Sequence, residues 1–95
     1  MKVVWSQQAR QEWLDQYRFY FGRNPEAARR IRQTVMEAVG NLRDHPKIGR
    51  PGRIEDTREL VISGTPFVAI YDISPNRVEI LHFYDGRQDW QDKPL

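Results

Sequence analysis

The sequence predicts an α+β domain in the order β-α-α-β-β-β, with a helical hairpin packed on one face of a small, mainly antiparallel sheet. Three observations carry that prediction. Apolar residues recur every three or four positions between Ala9 and Leu42, three runs rich in β-branched and aromatic residues lie between Arg58 and Tyr84, and short Gly, Pro, Asn and Ser clusters separate those runs. With 95 residues, 39% of them hydrophobic, the chain can bury one core and not two, so residues 1–95 read as a single domain.

Met1 to Trp5 (MKVVW) is long enough for one strand. Ser6 stands where an N-cap belongs, with a hydroxyl able to accept from an unpaired amide, although Ala9 three residues later rules out a capping box. Ala9, Trp13, Tyr17, Tyr20 and Phe21, widened by Leu14, then define an amphipathic helix from about Gln7 to Phe21. Gly22 is expected to end it in a left-handed conformation. Asn24-Pro25-Glu26 supplies a cap, a first-turn proline and a first-turn acid for a second helix. Its stripe of Ala28, Ile31, Val35, Ala38, Val39 and Leu42 runs until Pro46 stops it. A connection this short makes the two helices an antiparallel hairpin.

Lys47 to Arg53 (KIGRPGR) reads as a loop, with two Gly and one Pro in seven residues. Strands follow at about Arg58 to Ser63, Phe67 to Ile73 and Arg77 to Tyr84. Ser63-Gly64-Thr65-Pro66 and Ser74-Pro75-Asn76 are short enough to make these antiparallel neighbours.

The absence of cysteine from the sequence excludes disulfides, thiolate catalysis and most structural zinc sites. No metal-ligand spacing, phosphate-cradling glycine loop or nucleophile elbow occurs, so neither cofactor nor metal is expected. No apolar run reaches the roughly 20 residues that span a bilayer, and Met1-Lys2 opens no signal-peptide profile. The expected address is the cytoplasm, with no membrane partner. Net charge is only +2, yet Arg23 to Arg53 holds eight Lys or Arg against three acids, a local +5. Such a segment suits nucleic acid or an acidic protein, or is simply a solvated helix face with a basic loop.

Strict alternation along the last strand places Val78, Ile80, His82 and Tyr84 on one face and Glu79, Leu81 and Phe83 on the other. A helical hairpin covers one sheet face only, so the second is expected to be partly open and shallowly concave. Metal-free ribonuclease chemistry needs a base for the 2′-hydroxyl, cations for the charged transition state and an acid for the leaving oxygen. Arg58 and Arg87 are the candidate phosphate ligands, His82 or Asp85 the candidate proton-transfer groups, and Tyr84 a candidate base stack. Each has a structural alternative: His82 as a packed core residue, Arg58 as an ion-pair partner of Asp56 or Glu59, Asp85-Gly86 as a turn, and Tyr84 and Trp90 as closures of the core edge. His45 before Pro46 reads as an exposed helix-terminal residue.

The Trp-ended first strand, NPEAA at the second helix, P-x-x-GRPGR, TRELVISGTPFVAIYDI and VEIL-x-x-x-x-GRQDW together resemble the RelE/ParE superfamily of type II toxin-antitoxin toxins. The resemblance spans nearly the whole chain and rests on the order and spacing of these segments. It implies a small toxin sequestered by a cognate antitoxin, usually through a disordered segment that folds as it wraps the toxin. RelE-like members cleave messenger RNA on the ribosome, whereas ParE-like members bind DNA gyrase and trap its cleaved complex. Arg58 matches the family Arg at the start of its strand, and Arg87 lies near the C-terminal basic position. His82 matches no family catalytic residue, and Asp85 stands where the family more often has His before the Gly. With only three lysines, at Lys2, Lys47 and Lys93, the basic clusters typical of the ribonucleases are thin. The expected function is therefore ParE-like gyrase inhibition, with RelE-like ribosome-dependent cleavage as the alternative and a weakly active antitoxin-binding module as the third. For gyrase, the expected surfaces are Arg29, Arg30 and Arg32 on the hairpin, Arg50 and Arg53 in the basic loop, and Arg87 to Trp90. For the ribosome, they are Arg58, His82, Tyr84, Asp85 and Arg87.

Overall fold

A computed structural model describes residues 1–87; Gln88 to Leu95 lie outside the described residues. The elements run β1 (Lys2–Trp5), α1 (Gln7–Arg23), α2 (Pro25–Gly40), a 3-10 turn (Asn41–Arg43), β2 (Arg50–Pro51), β3 (Arg58–Val61), β4 (Phe67–Ile73) and β5 (Arg77–Asp85). They form a five-stranded sheet in the order β1-β5-β4-β3-β2, antiparallel throughout except for the parallel pair β1–β5. The α+β class holds, and the hairpin of helices lies on one face.

Ser6 caps α1 as expected, accepting from the Ala9 amide at 3.0 Å. It does a second job, because its hydroxyl donates to the Leu81 carbonyl at 3.0 Å and its amide to the Ile80 carbonyl at 2.8 Å, which fastens the start of α1 to β5. Gly22 does not end α1. The helix runs on to Arg23, and only Gly64, at φ 82°, and Asp56, at φ 63°, adopt left-handed backbone among the described residues. Asn24 serves both helices instead: its amide donates to the Tyr20 carbonyl at 2.9 Å, and its side chain accepts from the Ala27 amide at 3.1 Å. An extended residue with a capping side chain ends one helix and starts the next, so no glycine is needed. α2 ends at Gly40 rather than at Pro46, because the chain tightens into the 3-10 turn.

The core lies between the helices and the sheet. Trp13 and Tyr20 of α1 meet Phe67 and Phe83, with ring centroids 5.1 Å apart for Phe67–Phe83, 5.4 Å for Trp13–Phe83 and 5.9 Å for Tyr20–Phe67. Val35, Val39 and Leu42 from the second helical segment, and Leu60, Ala69, Tyr71, Val78 and Ile80 from the sheet, complete it. Each large side chain fully buried here contributes about 1.5–3 kcal/mol of transfer free energy.

Two expectations about the sheet fail for local reasons. Arg50–Pro51, read as loop, is an edge strand that pairs with Glu59 and Arg58. Two residues including a proline carry no strand pattern, and proline on an edge forfeits no inner ladder bond. The alternation along β5 also breaks. Ile70 pairs with His82 but Tyr71 pairs with Ile80, so Leu81 is an extra, bulged residue. Val78, Ile80 and Phe83 therefore share the core face, while His82 and Tyr84 face away from the helices with Ile70 and Val68. The bulge sits where Ser6 turns away from β5.

Candidate functional site

The face away from the helices is less open than the sequence suggests. Val68, Ile70 and Tyr84 form a second apolar cluster beneath Ile54, from the loop between β2 and β3. Tyr84 is 4% exposed, which removes it as a base-stacking platform. Burial, and next the Glu59 carboxylate, raise its pKa above the usual phenolic value.

Beside this cluster lies Glu59, a carboxylate almost fully excluded from water. Both Nε and Nη2 of Arg50 donate to its Oε1, at 3.0 and 2.8 Å, and the Arg53 amide donates to its Oε2 at 3.2 Å. A buried charge persists only when paired and hydrogen-bonded in this way. Arg50 thus holds the short edge strand to β3. No local pattern marks Glu59 as a buried carboxylate whose partner stands nine residues earlier.

Arg58 lies on the other side of the sheet, opposite Tyr71. Its Nη1 donates to the carbonyls of Gly49 at 2.7 Å and Lys47 at 3.2 Å. No ion pair to Asp56 or Glu59 forms; the acid expected to pair with Arg58 is taken by Arg50. Tyr71 clamps the same loop by donating to the Pro46 carbonyl at 2.7 Å and accepting from the Gly49 amide at 2.9 Å. Burial raises the Tyr71 pKa, opposed by the Gly49 hydrogen bond and the nearby Arg58 charge.

At the far end of β5, Asp85 is gripped by Arg87 through Nε–Oδ1 at 3.0 Å and Nη2–Oδ2 at 2.6 Å, while the Arg87 amide donates to Oδ1 at 2.9 Å. The hydrogen bond and charge of Asp85 raise the Arg87 pKa still further above its usual range. Arg87 also reaches the Tyr20 hydroxyl at 3.4 Å. His82 places Nδ1 3.4 Å from Glu12 Oε1, the same oxygen that accepts from the Phe83 amide at 3.1 Å. It is a packed residue at the bulge, where Glu12 closes the edge of β5 that β1 leaves bare.

Arg29, Arg30 and Arg32 are exposed on α2, with Arg30 3.5 Å from Glu26. Arg53 and His45 are exposed, and Arg50 is mostly so. Trp90 lies outside the described residues.

The five ribonuclease candidates separate into three places. His82 and Tyr84 face away from the helices, whereas Arg58 is on the helix side of an outer strand and Asp85–Arg87 at the opposite end of β5. Four residues along the strand and two strands across separate the backbones of Arg58 and Asp85 by roughly 16 Å, from about 3.3 Å per residue and 4.8 Å per strand. The two arginines thus start from distant backbone positions, and each is engaged locally, Arg58 with loop carbonyls and Arg87 with Asp85. Among the described residues no group of three or more His, Cys, Asp or Glu could hold a metal ion, and no helix is long and apolar enough to cross a membrane.

Comparison with known proteins agrees with this architecture. A family model described as ParE toxin of type II toxin-antitoxin system, parDE, matches residues 3–90. A curated relative from Sinorhizobium fredii, named "Putative toxin Y4kP", is 38% identical over 90 residues, covering 94% of this chain and 92% of that protein. A chain from the solved chromosomal ParDE TA system of P. aeruginosa superposes with a TM-score of 0.80 at 25% identity, over 90% of this chain and 95% of that one. The chain belongs to the ParE toxin family of type II toxin-antitoxin systems.

Proposed function

We propose that this toxin acts as a protein-binding inhibitor of DNA gyrase, held inactive by a cognate antitoxin until that antitoxin is lost. The observation that carries the reading is the fate of Arg58. Its Nη1 is committed to two loop carbonyls, on the face opposite His82 and Tyr84, so the cation best matched to a ribonuclease role serves the fold. Arg87 is similarly engaged with Asp85. A surface that binds a protein target requires no convergence of acid, base and phosphate ligand, and the scattered side chains of this domain suit that requirement.

Pulse labelling of bacteria within minutes of toxin induction tests the proposal. Thymidine incorporation should fall first, with methionine incorporation intact and the DNA-damage response induced. An early fall in methionine incorporation would favour messenger cleavage on the ribosome and overturn the proposal.

A further inference from the structure

The tip of the helical hairpin carries a pattern that the fold does not consume. Phe19 and Phe21, near the end of α1, are 54% and 40% exposed, although each is large enough to be core. Each has a guanidinium set against its ring: Arg23 stands 4.4 Å from the Phe19 centroid, and Arg29, from α2, 5.7 Å from the Phe21 centroid. Neither guanidinium makes a hydrogen bond or ion pair among the described residues. Between Arg18 and Arg32 the sequence places five Arg and one acid, Glu26, which is satisfied by Arg30. The local charge of +4 exceeds the +2 of the whole chain.

Stacking on an aromatic ring restrains a guanidinium while leaving its in-plane donors available. The tip thus presents two pre-oriented cations, each beside an exposed apolar ring. We propose that it is a docking surface for an acidic polypeptide segment in which carboxylates flank a large apolar side chain, and that the segment belongs to the cognate antitoxin. Carboxylates would take the free donors of Arg23 and Arg29, and the apolar side chain would cover Phe19 or Phe21. A polypeptide fits better than a single-stranded nucleic acid. Arg23 covers one face of Phe19 and Tyr20 meets that ring edge-on, while Tyr17 and Arg29 flank Phe21, so neither ring is an open platform for bases.

The inference rests on the toxin-antitoxin reading and is independent of which target the toxin attacks. The test is titration of purified toxin with the antitoxin encoded beside it, over a range of salt concentrations, for wild type, the double variant Arg23→Ala/Arg29→Ala and the double variant Arg23→Lys/Arg29→Lys. Alanine at both positions should weaken binding by roughly tenfold or more at low salt and flatten the salt dependence, and lysine should give an intermediate affinity. Should the alanine variant fold poorly, the lysine variant decides, since it keeps charge and loses only the planar stack. Unchanged affinity and salt slope would overturn the proposal and leave the tip a solvated face. So would intact antitoxin binding with lost toxicity, which would give the surface to the target, or arginine-dependent binding of a single-stranded oligonucleotide with antitoxin binding unaltered. Failure of the antitoxin to bind wild-type toxin would instead sink the toxin-antitoxin reading.

Discussion

A methyl group on Gly49 would stand 2.5 Å from the Tyr71 hydroxyl and 3.0 Å from the Glu59 carbonyl. Gly49 is required because Tyr71 uses that space to bind the loop on both sides, and Arg58 holds the carbonyl of Gly49 itself. Gly49→Ala should therefore destabilise the domain by about 1–3 kcal/mol, as overpacking does, measured as a fall in the urea midpoint. The two buried phenols also set an alkaline limit. Tyr71 and Tyr84 both have folded-state pKa values above the ordinary 10.0, so the folded state favours the protonated phenol. That contribution is fully present below the unfolded pKa and is lost as pH rises through the folded values. Chemical-denaturation midpoints should stay level near neutrality and fall above about pH 10, with a smaller fall in Tyr84→Phe.

Asn24 joins two helices with a single residue, and its role distinguishes it from Gly22, two positions earlier. Replacing Asn24 by Ala removes the cap on Ala27 and should cost about 1 kcal/mol. Gly22 lies inside a helix with nothing within 4 Å of an added Cβ, so Gly22→Ala should stabilise by up to about 1 kcal/mol and raise Tm. Opposite shifts from two neighbours would separate capping from a glycine stop; matching losses would contradict the junction described above. The same contrast shows what was legible in the sequence. Period and punctuation located both helices and the last three strands, because amphipathic spacing and turn residues act locally. The bulge at Leu81 left no local trace; the contact that accompanies it, from the Ser6 hydroxyl to the Leu81 carbonyl, comes from 75 residues away in sequence. That one residue moved Phe83 into the core and His82 and Tyr84 to the other face, which dissolved the site that alternation had assembled. The carbonyl contacts of Arg58 were hidden for a similar reason: its partners lie in a loop that turns back on β3.

At the scale of the whole molecule, the proposed gyrase inhibition needs a binding surface on the helix-and-sheet core rather than a catalytic cleft. Arg58 then belongs to stability: Arg58→Ala should cost about 1–3 kcal/mol through lost charged hydrogen bonds, yet still arrest growth at temperatures where the variant stays folded. Complete loss of toxicity in a folded Arg58→Ala protein would point back to RNA cleavage. The β5 end adjoins the hairpin tip, since Arg87 reaches the hydroxyl of Tyr20, whose ring meets that of Phe19. The most direct measurement is incubation of purified toxin with DNA gyrase and supercoiled plasmid, followed by protein digestion and electrophoresis. The account predicts accumulation of linear plasmid from trapped cleaved complexes, with ribosome-bound messenger left intact in a parallel reaction. Unimpaired supercoiling without linear product, together with cleavage of that messenger, would contradict it.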